Sequence, residues 1–234
     1  MSSPEPQTLL VSHREVAALL PMTECIDVMA GALAALARGG ALLPLRQVVA
    51  LPGTRNLLAM MPGQVGTAGS DGVALGAKVI TVFPGNDATP YDSHLGVVLL
   101  FEAAHGRLLA IIDASSVTAI RTAAVSGLAT RLLANPDAGD LAILGAGVQA
   151  MTHLEAMGAV RSLRRVRVWS RSADRCAGFA VAARARLGVT VEVSPDAESC
   201  VRGADIICTV TASREPVLMG RWIAEGAHVN AVGA

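Results

Sequence analysis

The stretch DLAILGAGVQA at residues 140–150 decides the fold of this chain. An apolar run leads directly into Gly145-Ala146-Gly147, and a helix is predicted to begin at Val148, which places the pattern GxGxxA between a strand and a helix. Glycines here allow a tight turn and a close approach of the backbone to a pyrophosphate, whose charge the N-terminus of the helix attracts. The pattern therefore predicts a dinucleotide-binding site formed by Gly145, Ala146, Gly147, Val148 and Gln149.

Downstream of this turn, predicted strands alternate with predicted helices. The strands are VRVWSRS (166–172), TVEVS (190–194), ADIICTVT (204–211) and GAHVNAVGA (226–234), and helices are predicted from Val148, over 173–187 and over 196–202. Such alternation is typical of a parallel sheet with crossover helices. The predicted fold class is therefore α/β, with a Rossmann-type parallel-sheet domain in this part of the chain.

The first part of the chain has a different pattern. A short strand and two helices, the second ending near Arg38, precede short β-rich pieces separated by Gly, Pro, Asn and Asp clusters. That spacing predicts a mostly antiparallel sheet, and a helix from Ser116 to about Ala134 follows it. Because Asn135-Pro136 ends this helix and the pattern changes there, we predict an N-terminal α+β domain over residues 1–135 and the dinucleotide-binding domain over 136–234.

Composition excludes several classes of partner. Nineteen basic and nineteen acidic residues give a net charge of zero, which argues against nucleic acid and against an anionic membrane. Apolar runs are broken well before the ~20 residues that a membrane span needs, and the N-terminus lacks the features of a secretory signal. The four cysteines Cys25, Cys176, Cys200 and Cys208 are far apart, which predicts reduced thiols in the cytoplasm and no metal site.

The end of the second strand of the dinucleotide-binding domain discriminates between cofactors. An NAD-preferring site places Asp or Glu there to bind the ribose 2′-hydroxyl. This chain has Ser170-Arg171-Ser172 instead, with Arg175 one turn further on. A hydroxyl and two guanidinium groups suit a 2′-phosphate, so we favour NADP(H) over NAD(H). The alternative is that Arg171 and Arg175 belong to a general arginine bias of this surface.

Lys78 is the only lysine in the chain, and it lies in the apolar stretch GVALGAKVITVFPG. Partial desolvation between Ala77 and Val79 would favour its neutral amine, so that it could exchange a proton with a substrate nitrogen or a water molecule. The alternative is a lysine at a strand edge with its ammonium group in solvent. Four of the five histidines are expected to be surface or structural residues: His13, His105, His153 and His228.

Taken together, these stretches resemble the ornithine cyclodeaminase/mu-crystallin family. The matching segments follow the family's order across almost the whole chain: LRQVV around Arg46, GAKVITVFPGN around Lys78, SHLGVVLLFE at 93–102, ASSVTAIRTAAVSGLAT around Arg121, LAILGAGVQA, VRVWSRS and GRWIAEGAHVNAVGA. VRVWSRS and EGAHVNAVGA are more similar to the NADPH site of the mu-crystallin, ketimine-reductase-like branch than to the acidic NAD site of the cyclodeaminases.

The resemblance implies a first domain that binds the substrate and forms a homodimer through its sheet, with the nicotinamide in the cleft between the domains. By matching motif positions, Arg46, Lys78 and Arg121 line the substrate pocket. The same matching gives further cofactor contacts to His94, Arg121, Thr122, Thr209, Val210, Thr211, Val232 and Gly233. Family members continue beyond the match to Ala234, so the C-terminal part of the family fold is expected to be absent from this sequence.

Three functions remain open at this point. In the leading interpretation, NADPH reduces the C=N carbon of a small cyclic or N-substituted imino carboxylate, Arg46 and Arg121 hold the carboxylate, and Lys78 is the catalytic residue that manages the proton. The second is a cyclodeaminase, in which bound NAD is reduced and reoxidised within one turnover. The third is a non-catalytic protein that binds NADPH or a small ligand. No hydrolase, zinc-protease or P-loop motif occurs in the sequence.

Overall fold

The computed structural model describes residues 7–66 and 72–233, without the side chains of residues 87 and 88. By their internal contacts these residues form two compact units. Unit 1 consists of Ala30–Thr118 and the residues up to Pro21. Unit 2 consists of Met22–Met29 and the residues from Ala119 onward.

Unit 1 is built on a seven-stranded mixed sheet. Its strands are β1 (Leu9–Val11), β2 (Ala41–Leu42), β3 (Gln47–Ala50), β4 (Leu57–Val65), β5 (Ala74–Val82), β6 (His94–Phe101) and β7 (Leu108–Asp113). Their order is β1-β7-β6-β5-β4-β2, with β3 paired to the first half of β4, and only the β1–β7 pair is parallel. The predicted, mostly antiparallel sheet is confirmed, whereas the two-residue strand β2 was not predicted.

Two helices lie between β1 and β2 in the chain, and a third follows β7. Unit 1 contains α1 (His13–Leu19). The helices α2 (Met22–Ala37) and α3 (Ala114–Leu133) are each divided, with one end in unit 1 and the other end in unit 2. The Glu15 carboxylate accepts a hydrogen bond from the Ser12 N–H at 2.8 Å and so caps α1. No single helix in the described part of the chain is long and apolar enough to span a membrane; α1 and α2 meet that test only when they are counted together across their bend of 80°.

The two faces of the unit 1 sheet differ in burial. On one face, Ala59, Ile80 and Ala114 form a buried cluster against which Leu57, Met61, Val82 and Val98 pack. Side chains alternate between faces along each strand, so the opposite face carries the apolar residues Leu58, Met60, Val79, Leu95 and Val97. None of these five is buried, and Met60 and Leu95 are 36% and 37% exposed. We call these five residues the open face.

Unit 2 contains a five-stranded sheet in which every pair is parallel. Its elements are β8 (Asp140–Leu144), α4 (Val148–Val160), β9 (Arg165–Trp169), α5 (Ala173–Leu187), β10 (Glu192–Val193), α6 (Ala197–Val201), β11 (Ile206–Thr209) and β12 (His228–Ala231). From β8 the chain adds β9 and β10 on one side, and it then adds β11 and β12 on the other side, in the order β10-β9-β8-β11-β12. The switch point therefore lies between β8 and β11, which is where ligands bind in open parallel sheets. The predicted Rossmann-type α/β fold is confirmed.

The core of unit 2 explains why residues 141–144 are all apolar. Leu141, Ala142, Ile143 and Leu144 of β8 have no exposed surface, because the strand is central and both faces of the sheet are covered. The strand ends at Leu144, and Gly145 turns the chain toward α4. The carboxyl ends of all five parallel strands lie at the same edge of the sheet, and this edge carries the predicted dinucleotide site.

Packing determines where the division between the units falls. In α3, a Cβ atom at Gly127 would lie 3.0 Å from Ile26 Cδ1 of α2 and 3.4 Å from Ala156 Cβ of α4. Most of α3 therefore packs within unit 2, and the division lies between Thr118 and Ala119 and not near 135. The signal Asn135-Pro136 marks the end of a helix, but it does not report which neighbours that helix packs against.

Candidate active site

The turn after β8 has the geometry of a phosphate-binding turn. Gly145 has a φ of +125°, and a Cβ atom there would lie 2.7 Å from the carbonyl oxygen of Val210, so a side chain does not fit. Its N–H donates to the carbonyl of Trp169 at 2.8 Å, which joins the turn to β9. At Gly147, the N-cap of α4, no described atom lies within 4 Å of a Cβ position. The second glycine therefore faces open space.

The first turn of α4 fits an anionic group. The N–H groups of this turn cannot reach an acceptor within the helix, and they carry the positive end of its dipole. Val148 is 62% exposed in the same turn. The side-chain oxygen Oε1 of Gln149 is buried and accepts no hydrogen bond from any described residue. A dinucleotide bound here would provide partners for groups that the described protein leaves without one.

The carboxyl ends of β11 and β12 are tied together beside this turn. The Thr209 hydroxyl donates to the carbonyl of Gly233 at 2.8 Å, and the N–H groups of Val232 and Gly233 donate to the carbonyl of Thr209 at 3.1 and 2.8 Å. A Cβ atom at Gly233 would collide with the carbonyl oxygen of Thr211. The Val210 N–H donates to the carbonyl of Leu144 at 2.8 Å. Five residues predicted as cofactor contacts thus lie together at one edge of the sheet.

A cavity of about 480 Å³ opens at the carboxyl ends of β9 and β10. It is lined by Trp169, Ser170, Arg171, Ala173, Cys176, Val193, Ser194 and Pro195. The Ser170 hydroxyl donates to the carbonyl of Ser172 at 3.0 Å, and the Ser172 hydroxyl caps α5 by accepting from the Arg175 N–H at 3.3 Å. Arg171 and Arg175 are exposed, and neither forms an ion pair with a described residue.

Some residues of this cavity were not predicted from the sequence. Cys176 follows the N-cap Ser172 by four residues and therefore returns to the mouth of β9, where its thiol lies 3.3 Å from the Ser170 hydroxyl oxygen. Helical spacing within the helix predicted over 173–187 could have identified it. Ser194 and Pro195 come from the segment after β10, and their approach to β9 depends on a strand pairing that local sequence does not contain.

Lys78 lies in the middle of β5, with β4 and β6 on either side, and it is half-buried. It pairs with Met61 and Val98, and it lies on the face of the sheet that α3 covers. Its Nζ donates to the Thr118 hydroxyl on α3 at 3.3 Å. The lysine is therefore not at a sheet edge, and Thr118, a residue that the sequence did not single out, fixes the position of its ammonium group.

His94 opens β6 on the same face as Lys78, because it pairs with Val82 and residues two apart share a face. Its Nδ1 lies 3.0 Å from the Ser93 hydroxyl oxygen. Although the residue is exposed, surrounding atoms partly desolvate the ring and lower its pKa; the charge of Lys78 lowers the pKa further, and Asp92 opposes the shift. Lys78 and His94 thus act on each other electrostatically within unit 1.

The two predicted arginine ligands lie in different units. Arg46 is exposed and directly precedes β3, in which Gln47 pairs with Met60. Continuing this register by one residue places Arg46 beside Met61, the partner of Lys78, and so on the face that carries Lys78. Arg121 and Thr122 lie in the part of α3 that belongs to unit 2. Burial raises the pKa of the Cys25 thiol, and the charge of Arg121 partly offsets this effect.

The fold and the glycine turn define a Rossmann-type α/β protein with an additional mixed-sheet unit. The chain belongs to the ornithine cyclodeaminase/mu-crystallin family, whose model matches residues 7–234. This confirms the resemblance that the sequence motifs carried.

Two curated relatives and one solved structure are similar over most of the chain. Ketimine reductase mu-crystallin of Mus musculus is 42% identical over 196 residues, which cover 84% of this chain and 60% of the relative. Delta(1)-pyrroline-2-carboxylate reductase of Bacillus cereus is 34% identical over 227 residues, which cover 97% of this chain and 68% of the relative. The structure of Delta(1)-pyrroline-2-carboxylate reductase from Thermococcus litoralis, in complex with NADH and L-proline, matches with a TM-score of 0.89 and 33% identity, over 95% of this chain and 68% of that one. The chain thus spans three fifths of the length of the mouse relative.

Proposed function

We propose that this chain is an NADPH-dependent reductase of small cyclic or N-substituted imino carboxylates. The observation that carries the proposal is the placement of Lys78, a half-buried amine held by Thr118 and coupled to His94, in a family whose relatives include a ketimine reductase and Delta(1)-pyrroline-2-carboxylate reductases. A catalytic amine in partly apolar surroundings is suited to exchange a proton at a substrate nitrogen.

The bound dinucleotide supplies a hydride to the C=N carbon of the substrate. In the proposed mechanism, Lys78 donates the proton that the substrate nitrogen requires, and the Thr118 hydroxyl keeps the ammonium group on the covered face of the sheet. Arg46 and Arg121 bind the substrate carboxylate, since a guanidinium group forms two parallel hydrogen bonds with a carboxylate. The apolar cluster beside Lys78 excludes water from the reacting nitrogen.

We assign cofactor binding to residues at the edge of the unit 2 sheet together with neighbours from the family motifs. The turn residues Gly145, Ala146, Gly147, Val148 and Gln149 bind the pyrophosphate. Further contacts come from His94, Arg121, Thr122, Thr209, Val210, Thr211, Val232 and Gly233. In unit 2 the assignment is supported by the open space at Gly147 and by the buried, unpartnered oxygen of Gln149.

We further propose a preference for NADPH over NADH. Ser170 and Arg171 line the cavity at β9, and Ser172 and Arg175 lie at the start of α5. The residue directly after β9 is Ser170, where an NAD-preferring site has an acidic residue that binds the 2′-hydroxyl. Two exposed guanidinium groups without ion-pair partners among the described residues suit a 2′-phosphate. The Thermococcus litoralis enzyme was solved with NADH, so the preference has to be measured for this chain.

The first experiment measures the absorbance of the reduced nicotinamide while the protein acts on Delta(1)-pyrroline-2-carboxylate, with NADPH and with NADH in parallel. We expect stoichiometric loss of NADPH and a slower reaction with NADH. A second arm supplies L-ornithine and NAD and measures ammonia. Ammonia without net change of the cofactor would assign a cyclodeaminase and overturn the proposal. Dinucleotide binding without either reaction would assign a non-catalytic binding protein.

We also propose that the chain forms a homodimer through the open face of the unit 1 sheet and that it functions in the cytoplasm. The described part of the single chain leaves five adjacent apolar residues on that face partly exposed, and a second copy would bury them. The cytoplasmic assignment is supported by four buried cysteines that are all reduced. In this scheme unit 1 carries the substrate and dimer functions and unit 2 carries the dinucleotide.

A further inference from the structure

His153 is a fully buried histidine in the middle of α4. Its Nδ1 lies 2.7 Å from the carbonyl oxygen of Gln149, and its Nε2 lies 3.0 Å from the hydroxyl oxygen of Ser126 on α3. A carbonyl oxygen only accepts hydrogen bonds, so Nδ1 carries the proton. In the neutral ring Nε2 is then an acceptor, and the Ser126 hydroxyl donates to it. The contact with the Gln149 carbonyl therefore defines the tautomer of the neutral ring.

This pair lies one helical turn behind two residues assigned to the cofactor. Ser126 follows Thr122 by four residues on α3, and His153 follows Gln149 by four residues on α4, so each pair shares a face of its helix. The hydrogen bond between Ser126 and His153 therefore joins the two helices directly behind Thr122 and Gln149. The side chain of Gln149 also contains a buried oxygen, Oε1, which has no partner among the described residues.

Packing alone does not require a histidine at this position. The neighbouring buried residues of α4 are Ala150, Leu154, Ala156 and Met157, and an apolar side chain would avoid the cost of burying two ring nitrogens. The ring satisfies both nitrogens with polar partners on two helices, which fixes a geometry that an apolar contact leaves free.

We propose that His153 is a positioning residue for the dinucleotide: its neutral ring, bonded to Ser126 and to the Gln149 carbonyl, holds the first turn of α4 against α3 so that Thr122 and Gln149 bind the same ligand. The inference rests on the proposed function, because it requires that a dinucleotide binds at the turn after β8. It goes beyond that function, since His153 and Ser126 do not themselves contact the ligand.

Substitution can separate the roles of the two ring nitrogens of His153. His153→Asn keeps a donor near the Nδ1 position and loses the acceptor for Ser126, whereas His153→Gln places an acceptor near the Nε2 position. Ser126→Ala removes the donor and leaves the ring in place. Met157→Leu is the matched control, because Met157 Sδ accepts from the Thr130 hydroxyl at 3.3 Å and so joins the same two helices one turn further from the dinucleotide site.

The measurement is the Kd for NADH, taken from the quenching of tryptophan fluorescence, with the melting temperature of each variant recorded alongside. We expect Ser126→Ala and His153→Asn to weaken NADH binding roughly fivefold to twentyfold, the range for loss of one buried hydrogen bond. His153→Gln should retain more affinity than His153→Asn. Met157→Leu should lower the melting temperature without changing the Kd.

The pH dependence is a second readout. Burial lowers the pKa of His153, and the hydrogen bond to the Gln149 carbonyl partly offsets this effect. None of the charged side chains on the neighbouring helices, Glu24 and Asp27 on α2, Arg121 and Arg131 on α3 and Glu155 on α4, is a cause of the shift. Protonation as the pH falls below the usual range of histidine would make Nε2 a donor, which reverses its hydrogen bond with the Ser126 hydroxyl and places a charge in a buried site. NADH binding should therefore weaken in the wild type and much less in His153→Gln. NADH is the ligand of choice because the 2′-phosphate of NADPH itself titrates at about pH 6.

Two outcomes would overturn the inference while leaving the proposed function intact. One is an unchanged Kd in Ser126→Ala and His153→Asn despite a lower melting temperature, which would make the pair structural only. The other is a loss of affinity in Met157→Leu as large as that in Ser126→Ala, which would make helix packing in general responsible. If the wild type binds neither NADH nor NADPH, the proposed function fails, and this inference fails with it.

Discussion

The proton transfer in the proposed mechanism depends on the surroundings of one residue, Lys78. Met61 and Val98 flank it in the sheet, Thr118 binds its ammonium group, and its charge acts on His94. Along β6, Gly96 separates His94 from Val98, and a Cβ atom there would collide with the carbonyl oxygen of Val79. No side chain of β6 therefore lies between the imidazole of His94 and Val98, the residue that pairs with Lys78.

Replacing Lys78 with methionine should remove the proton donor and preserve the packing. We expect the Lys78→Met variant to lose at least about 100-fold in kcat with Delta(1)-pyrroline-2-carboxylate, the lower range for general acid–base catalysis. The Kd for NADPH should stay within about twofold, since the dinucleotide contacts lie elsewhere. Steady-state kinetics and fluorescence titration test both statements. Unchanged turnover with unchanged binding would remove Lys78 from the mechanism.

The same variant should change the titration of His94. The positive charge of Lys78 lowers the pKa of His94, so its removal should move that pKa upward toward the usual histidine range. NMR titration of the imidazole C–H signals measures this shift directly. An unchanged His94 titration would show that the two side chains do not interact.

Arg171 should decide between the two cofactors. Its guanidinium group lines the cavity at β9 and is free of ion pairs with described residues, so it can bind a 2′-phosphate. We expect Arg171→Ala to raise the KM for NADPH about tenfold or more, while the KM for NADH changes little. Arg186→Ala, in the last turn of α5, is the matched control for lost surface charge. Equal effects on both cofactors would argue against a 2′-phosphate contact.

At the scale of elements, the sequence was most informative where a cap marks both ends of a helix. The prediction for α5 over 173–187 matches the structure, because Ser172 caps its start and Gly188 adopts a φ of +68° after its end. The start of α3 was predicted two residues late, at Ser116, since Asp113 is both the last residue of β7 and the acceptor for the Ser116 N–H. Because Asp113 both ends the strand and caps the helix, the sequence contains no separate signal for the start of α3.

Partners that come from distant segments could not be predicted in the same way. The motif around Gly145 is local, so the glycine turn between β8 and α4 could be predicted from the sequence. Thr118 as the partner of Lys78, and Ser126 as the partner of His153, depend on how α3 packs on β5 and on α4. Helix packing combines residues that are 27 to 40 positions apart, and neither periodicity nor spacing in one segment contains that information.

Arg161 should stabilise the C-terminal end of α3. Its guanidinium group donates to the carbonyls of Thr130 and Ala134 at 2.9 Å and to that of Asn135 at 3.2 Å. Helix-end carbonyls lack partners within the helix, so Arg161→Met should lower the free energy of unfolding by about 2 kcal/mol. Urea unfolding measures the change, with Arg186→Met as the control. A change as small as that of the control would show that water replaces the guanidinium group at no cost.

At the scale of the whole molecule, the distribution of apolar surface is uneven. The core of unit 2 is covered on both faces of its sheet, whereas the described residues of unit 1 do not bury the open face, which consists of Leu58, Met60, Val79, Leu95 and Val97. Apolar residues that adjoin one another across three strands form a continuous patch, which is typical of an interface. The proposed homodimer follows from this patch and not from any single residue.

A charge on the open face should prevent association. Val97 pairs with Val79, which pairs with Met60, so Val97→Asp places a carboxylate in a row of three apolar residues that crosses the patch. We expect the variant to elute as a monomer and the wild type as a dimer in size-exclusion chromatography with light scattering, since an unpaired buried charge is costly at an interface. Val181→Asp, at a position 71% exposed on α5, is the control. A dimeric Val97→Asp variant would locate the interface elsewhere.

The single ε-amino group of this chain also makes Lys78 chemically addressable. Arginine replaces lysine at every other basic position, so reagents that acylate or reductively methylate amines have one side-chain target, and it lies half-buried beside Thr118. Reductive methylation with isotopically labelled formaldehyde would place a methyl NMR reporter on the amine itself without any mutation. The protein therefore allows the protonation of its proposed catalytic group to be followed directly, in a spectrum with one side-chain signal.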